Sequence, residues 1–221
     1  QEYNSVSGDP NTDCNGHGTH VAGTVGSKTY GVANKAKLVG VKVLSCSGSG
    51  TYAGVIAGIN WVAQNAKKPA TANMSLGGGK STSVNAAVKA LVASGVSTVV
   101  AAGNSNQDAC GYSPASEPDA ITVGSTTNTD TRSSFSNWGK CLDIFAPGSS
   151  ITAPWIGSSN TVLRTISGTS MASPHVCGGA ALYLGQNPNL TPTELLNKML
   201  EDSIAGTITN VGTGSPNKFL H

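Results

Sequence analysis

Ile166-Ser167-Gly168-Thr169-Ser170-Met171-Ala172-Ser173-Pro174 crowds small residues around one serine, Ser170. Gly168 and Thr169 permit a tight approach turn. From Met171 through Val176, Cys177, Ala180, Ala181 and Leu182 the chain reads as an apolar, buried helix. A serine in the first turn of such a helix presents its hydroxyl where the macrodipole favours an oxyanion, a suitable place for a nucleophile. Taken alone, the stretch favours an ordinary serine N-cap. Its neighbours along the chain decide between the two.

Working outward, apolar segments of two kinds alternate. Leu38–Leu44, Ala72–Leu76, Val96–Ala102, Ala120–Val123 and Leu142–Ala146 read as buried strands. Between them, Tyr52–Ala66 and Ser83–Ser94 carry helical periodicity, closed by Pro69 and Gly95 respectively. A glycine turn at Asn15–Gly18 leads into a small-residue helix, and Thr191–Leu200 opens with a capping-box pattern, Thr191-Pro192 with Glu194 three residues on. Residues 1–16 read as turns. This alternation predicts an α/β fold: a parallel, doubly wound central sheet with helices on both faces. Ligand sites in such sheets lie beyond the carboxyl ends of the strands. Ser47–Gly50, Gly77–Gly79 and Gly103-Asn104 collect there.

The bulk properties narrow the function. A chain of 221 residues suits one domain. Only 11% of residues are charged and the net charge is +2, with no basic block or aromatic-basic interleaving. Neither nucleic acid nor a membrane is therefore an expected partner. Of five cysteines, none forms a C-x-x-C pair, and their wide spacing in a Gly- and Ser-rich chain suits an oxidising, extracellular setting. Cys177, on the apolar helix, reads as a small buried hydrophobe.

Three residues suggest chemistry. Ser170 is a candidate nucleophile, His20 a candidate general base, and the Asn104 amide a candidate donor to a developing oxyanion. Each also has an ordinary structural reading. However, N-G-H-G-T-H-V-A-G-T at 15–24, S-L-G-G-G at 75–79, A-A-G-N at 101–104 and G-T-S-M-A-S-P-H-V at 168–176 stand in one order. Together with Y-S-P-A-S-E-P at 112–118 and S-S-F-S-N-W-G at 133–139, they resemble the subtilisin-like serine proteases. The nearest match is the proteinase K-like branch with its aqualysin-type secreted members. The resemblance covers nearly the whole chain.

It implies a secreted, monomeric serine endopeptidase acting on polypeptides through an acyl-enzyme and blocked by protein inhibitors. Ser170 would be nucleophile and His20 base, with the Asn104 amide and the Ser170 N–H as oxyanion donors. Ser47, Gly48, Ser49 and Gly50 would pair with an extended substrate on one side, and Ser75, Leu76 and Gly77 on the other. Ala101, Ala102 and Gly103 would line an open apolar pocket accepting aromatic or aliphatic side chains, and Tyr52 would rim a more distant subsite. Structural Ca2+ would be held by the carbonyls of Pro118 and Ala120 and the carboxylate of Asp143. Cys14 would pair with Cys46 and Cys110 with Cys141, each bridge contributing about 2–4 kcal/mol.

The family's triad aspartate, on an apolar strand before the histidine, has no counterpart here. Asp9 and Asp13 precede His20 but lie in a polar turn segment. In subtilisin itself, loss of that carboxylate lowers turnover on the order of 10⁴-fold. The expectation is that 1–221 is the later portion of a longer peptidase domain, lacking its N-terminal strands. An earlier segment or a separate chain would supply the acid. The missing strand would lie between Leu38–Leu44 and Ala72–Leu76. The rival expectation is an inactive subtilase-fold binding module. Other readings fare worse. Lys80 ends no P-loop, because the motif's first glycine would fall at Met74. His17 and His20 lack a third zinc ligand, and no G-x-S-x-G elbow occurs.

Overall fold

A computed structural model describes residues 3–221. In chain order its elements are β1 (Tyr3–Asn4), α1 (His17–Gly26), β2 (Val41–Lys42), α2 (Tyr52–Asn65), β3 (Thr71–Met74), β4 (Gly78–Gly79), α3 (Thr82–Ala93), β5 (Ser97–Ala101), β6 (Tyr112–Ser113), β7 (Ile121–Thr126), β8 (Ile144–Pro147), β9 (Ile151–Pro154), β10 (Leu163–Ile166), α4 (Thr169–Gln186), α5 (Pro192–Asp202), β11 (Ile204–Ala205) and β12 (Lys218–Phe219). The central sheet runs β11-β12-β8-β7-β5-β3. It is parallel except for the β11–β12 pair.

β5 shows why the strand signal was strong: all five residues are buried, so both faces pack. Val99 joins a core with Val123, Ile144, Val176 and Leu195, beneath α4 and α5. Its neighbour Val100 points the other way and joins Val55, Ile59, Val88 and Leu91 beneath α2 and α3. Helices therefore cover both faces, as the alternation predicts. α4 has buried residues all round, the mark of a helix that runs through the interior. α5 begins with the expected capping box between Thr191 and Glu194. Both disulfides form as the resemblance implies, Cys14–Cys46 and Cys110–Cys141, and Cys177 is free and buried. Among the described residues no helix is long and apolar enough to cross a membrane.

Two expectations are corrected, and one element was not foreseen. The strand at Leu38–Leu44 shrinks to Val41–Lys42 and stays outside the central sheet. It pairs in parallel with β1, which lies in a segment read as turns. The Lys42 ammonium fastens that segment, donating to Pro10 O and Thr12 O at 3.0 Å each, with Asp9 3.7 Å away. Leu38 and Val39 are left exposed. The unforeseen element is the antiparallel hairpin β9–β10, whose Ser- and Asn-rich tip carries no strand signal. Among the described strands β3 has a partner only on its β5 side. A cavity of about 950 Å³ runs along its other side, bounded by α1, α2, α4 and residues 36–45.

Leu91 is 1% exposed between α3 and β5. Leu91→Ala is expected to lower unfolding free energy by about 2–5 kcal/mol, read from denaturant titration. A loss under about 1 kcal/mol would contradict this account of the core.

Candidate active site

β5 ends at Ala101, and the chain turns at Gly103, whose φ is +102°. A Cβ there would also come within 2.4 Å of the Asn137 amide nitrogen. Glycine is required on both counts. Asn137 is wholly buried and braces the turn: its Nδ2 donates to Ala102 O at 2.8 Å, while its Oδ1 accepts Ser105 N–H and Gln107 N–H at 3.0 Å each. Asn137 stands inside a family-like stretch, but no residue pattern marks it as a brace.

The turn places Asn104 against the start of α4. Asn104 Oδ1 accepts both the N–H and the hydroxyl of Thr169, each at 2.8 Å. Thr169 Oγ1 accepts in turn from Gly103 N–H at 3.1 Å. With its oxygen doubly engaged, the amide is fixed in orientation and its NH2 is left to donate elsewhere. Ser170 follows Thr169 at the helix N-terminus. Asn104 and Ser170 line one pocket of about 270 Å³. Ala101, Ala102 and Gly103 line it, as do Leu76 and Gly77. Tyr112 and Ala115 line it too, and the sequence reading missed both. They come from a segment 35 or more residues after Leu76, and only the fold brings them close.

Ser75 lies under the same helix end. Its Oγ donates to Ser170 O at 2.7 Å, and Ser170 Oγ donates to Ser75 O at 3.4 Å. Ser47–Gly50 form an exposed loop just before α2. Tyr52, at the start of α2, donates to Gly79 O at 2.5 Å and so links that side to the 76–79 segment.

His20 sits on α1, fully buried. Its Nε2 lies 3.1 Å from Ile151 O and 3.0 Å from Arg164 O, on the β9–β10 hairpin. Its Nδ1 is buried with no hydrogen-bond partner among the described residues. Trp155 stands edge-on to the imidazole, with Arg164 stacked 4.6 Å over the indole. The two aspartates before His20 are committed elsewhere. Asp13 accepts from the N–H groups of Asn15, Gly16 and Thr19 and from the Thr19 hydroxyl. Burial pushes its carboxyl up, but those hydrogen bonds, led by the Thr19 hydroxyl, hold it below its ordinary value. Asp9 accepts Cys46 N–H and faces Lys42. Asp9, Cys14 and Cys46 lie close enough to suggest a metal cluster, but both cysteines are consumed by their disulfide.

Asp143 faces Thr122, two residues beyond Ala120. Its Oδ2 accepts Thr122 N–H at 2.8 Å. Desolvation by burial pushes its pKa up to about 6, against that one backbone donor. A carboxylate short of positive partners, beside a turn with carbonyls at Pro118 and Ala120, is a donor set of hard oxygens that fits Ca2+.

The whole arrangement can be compared with known proteins. The profile of the subtilase family (Peptidase_S8) matches residues 1–219. The chain belongs to the subtilase family. This subtilase is 56% identical over 220 residues to "Alkaline serine exoprotease A" of Vibrio alginolyticus, across 99% of the chain and 40% of the relative. It is 57% identical over 209 residues to "Extracellular serine proteinase" of Thermus sp. (strain Rt41A), across 95% of the chain and 51% of that protein. The chain thus spans about half the length of the curated relatives it matches. Among solved structures, a cold adapted subtilisin-like serine proteinase superposes with a TM-score of 0.95 at 55% identity, covering 99% of this chain and 79% of the other.

Gly16 precedes α1 at φ +107°, and a Cβ there would lie 2.2 Å from the Trp155 ring. Gly16→Ala is expected to displace Trp155 and to destabilise the subtilase by about 1–3 kcal/mol. Tryptophan emission and thermal unfolding should shift together, and an unchanged emission spectrum would contradict the packing described.

Proposed function

We propose that this subtilase works within a secreted serine endopeptidase that cleaves polypeptides through an acyl-enzyme. The observation that carries the reading is the locked Asn104 amide beside Ser170 at one pocket. Ser170 Oγ attacks the substrate carbonyl, and the Asn104 NH2 and Ser170 N–H receive the negative charge that develops on its oxygen. The substrate runs extended between Ser47–Gly50 and Ser75–Gly77. Its side chain before the cut enters the pocket walled by Ala101, Ala102 and Gly103, which suits aromatic and aliphatic groups. Tyr52 rims a subsite further along, and proteinaceous inhibitors would occupy the same groove. The active species is a monomer.

His20 is the general base, and its surroundings suggest how it is set. A neutral imidazole whose Nε2 faces two carbonyls carries its proton there, leaving a bare lone pair at Nδ1. A carboxylate placed at Nδ1 demands the other tautomer. Nε2 then bears a lone pair, which the carbonyls of Ile151 and Arg164 repel, so the ring turns away from them to bring Nε2 to the Ser170 proton. We assign that carboxylate to an extended segment lying in the cavity beside β3, contributed by the longer protein or by a separate chain. The cavity's contact with α1, the helix that carries His20, and an Nδ1 without a hydrogen-bond partner among the described residues support this assignment.

Ca2+ bound by Pro118, Ala120 and Asp143 would neutralise a buried carboxylate and brace the turn before β7. Asp143's raised pKa sets the sign. Its folded value of about 6 exceeds the unfolded 3.8, so the fold favours the neutral acid. The resulting cost is absent below about pH 4, grows through the interval and is complete above about pH 6. A bound cation offsets it only where the carboxylate is charged.

Three outcomes are expected. A sulfonyl fluoride should modify Ser170 alone in the full-length protein, detected by mass spectrometry of the digested adduct; absence of an adduct would indicate the inactive binding module instead. Asn104→Ala should lower kcat about 10²–10³-fold with little change in KM, the magnitude known for the equivalent donor in subtilisin, a member of this family. Chelation with EDTA should lower Tm more at pH 8 than at pH 5, and Asp143→Asn should abolish the difference. An equal effect at both pH values would remove Asp143 as a ligand.

A further inference from the structure

α4 contains Pro174, four residues after Ser170. In an α-helix the carbonyl of residue 170 accepts from the N–H of residue 174. Proline has none. The carbonyl of the nucleophilic residue therefore lacks its helical donor, and the Ser75 hydroxyl supplies one at 2.7 Å.

Ser75 is one rung of a polar ladder. Thr71, Asn73 and Ser75 alternate along β3 and its continuation, so they share one face of the strand. That face meets α4 at Ser170, Ser173 and Cys177, which follow helical spacing. Thr71 donates its own proton to Ser97 O at 3.0 Å, so the Cys177 thiol donates to Thr71. The middle rung is the informative one. Ser173 Oγ donates to Asn73 Oδ1 at 2.6 Å, and Asn73 Nδ2 donates to Ser75 Oγ at 2.9 Å. With its oxygen accepting from Asn73, Ser75 turns its single proton to Ser170 O. The three side-chain donors Ser173, Asn73 and Ser75 all point one way, toward the Ser170 carbonyl. Ser173 is wholly buried and Ser75 is 8% exposed. Apolar groups would fill this space without the desolvation that the polar series entails.

We propose that Asn73 and Ser173 are positioning residues for Ser170. Acting through Ser75, they fix the nucleophile's main chain, and with it the Ser170 N–H, at the helix turn that Pro174 leaves without a donor. The inference rests on the reading of Ser170 as nucleophile. It concerns residues that touch no substrate.

The test is the second-order rate of Ser170 modification by a sulfonyl fluoride, too small to use the extended substrate groove, on the full-length protein. Asn73→Asp keeps the acceptor for Ser173 and removes the donor to Ser75. It should slow modification about tenfold, while circular dichroism shows a folded protein. Pro174→Ala returns an N–H to the Ser170 carbonyl. In that background Asn73→Asp should cost about twofold or less, because the Ser75 bond is then redundant. A purely structural role for Asn73 predicts the same loss in both backgrounds, and that result overturns the proposal. So does modification of Asn73→Asp at the unmutated rate. If Asn73→Asp does not fold, Ser173→Ala deletes one hydroxyl and carries the same comparison, with the loss again expected only where Pro174 is present. Failure of the unmutated protein to react at all overturns the protease reading together with this one. Normal reaction of the unmutated protein and both variants overturns this one alone.

Discussion

Helix α4 runs its first three turns through the interior, so what it presents at its N-terminus is held by packing. This burial is what fixes the site. Thr169 is fully buried at the first turn, where its N–H and hydroxyl both bind Asn104 Oδ1. The helix end and the end of β5 are thereby tied at one point. Ser170 inherits a fixed main chain, and Asn104 a fixed amide. Preorganised donors of this kind need not reorganise when charge develops, which is why they favour a charged transition state.

The same helix carries an evident defect, a proline in its interior. A proline there removes a hydrogen bond and strains the preceding turn. Here the freed carbonyl belongs to Ser170 and is taken up by a hydroxyl from β3. The defect thus couples helix to sheet. β3 and α4 meet through hydroxyls, a thiol and an amide, while Val176 and Ala180 of α4 join Val99 of β5 and Val123 of β7 in the apolar core. Polarity is concentrated where orientation matters, and apolar packing where stability does.

His20 follows a different logic. Its ring is buried and held from outside the α4–β5 junction, by two carbonyls of the β9–β10 hairpin and the edge of Trp155. Ser170 and Asn104 are set by contacts within residues 73–173, whereas the imidazole's tautomer is left to whatever meets Nδ1. The unpaired edge of β3 and the large cavity beside it lie on the same side of the molecule as α1.

The residue pattern by itself determined the alternation of strands and helices, because strands buried on both faces leave long apolar runs, as in Ser97–Ala101. It also marked Ser170 and Asn104, whose motifs sit at element ends where turn glycines are compulsory. The disulfide pairs were legible through family resemblance, since spacing leaves such partners open. Only the tertiary structure decided the rest. β1 and β2 are two-residue pairings held by main-chain bonds and by Lys42, so they leave no periodic trace. Tyr112 and Ala115 reach the pocket, and Asn137 the turn beside it, from distant parts of the chain, and their types say nothing of that placement. The bonding of His20 to Ile151 and Arg164, more than a hundred residues away, arises from chain folding alone. A side chain's chemistry is written locally, but its partners are set by which distant segments the core brings together.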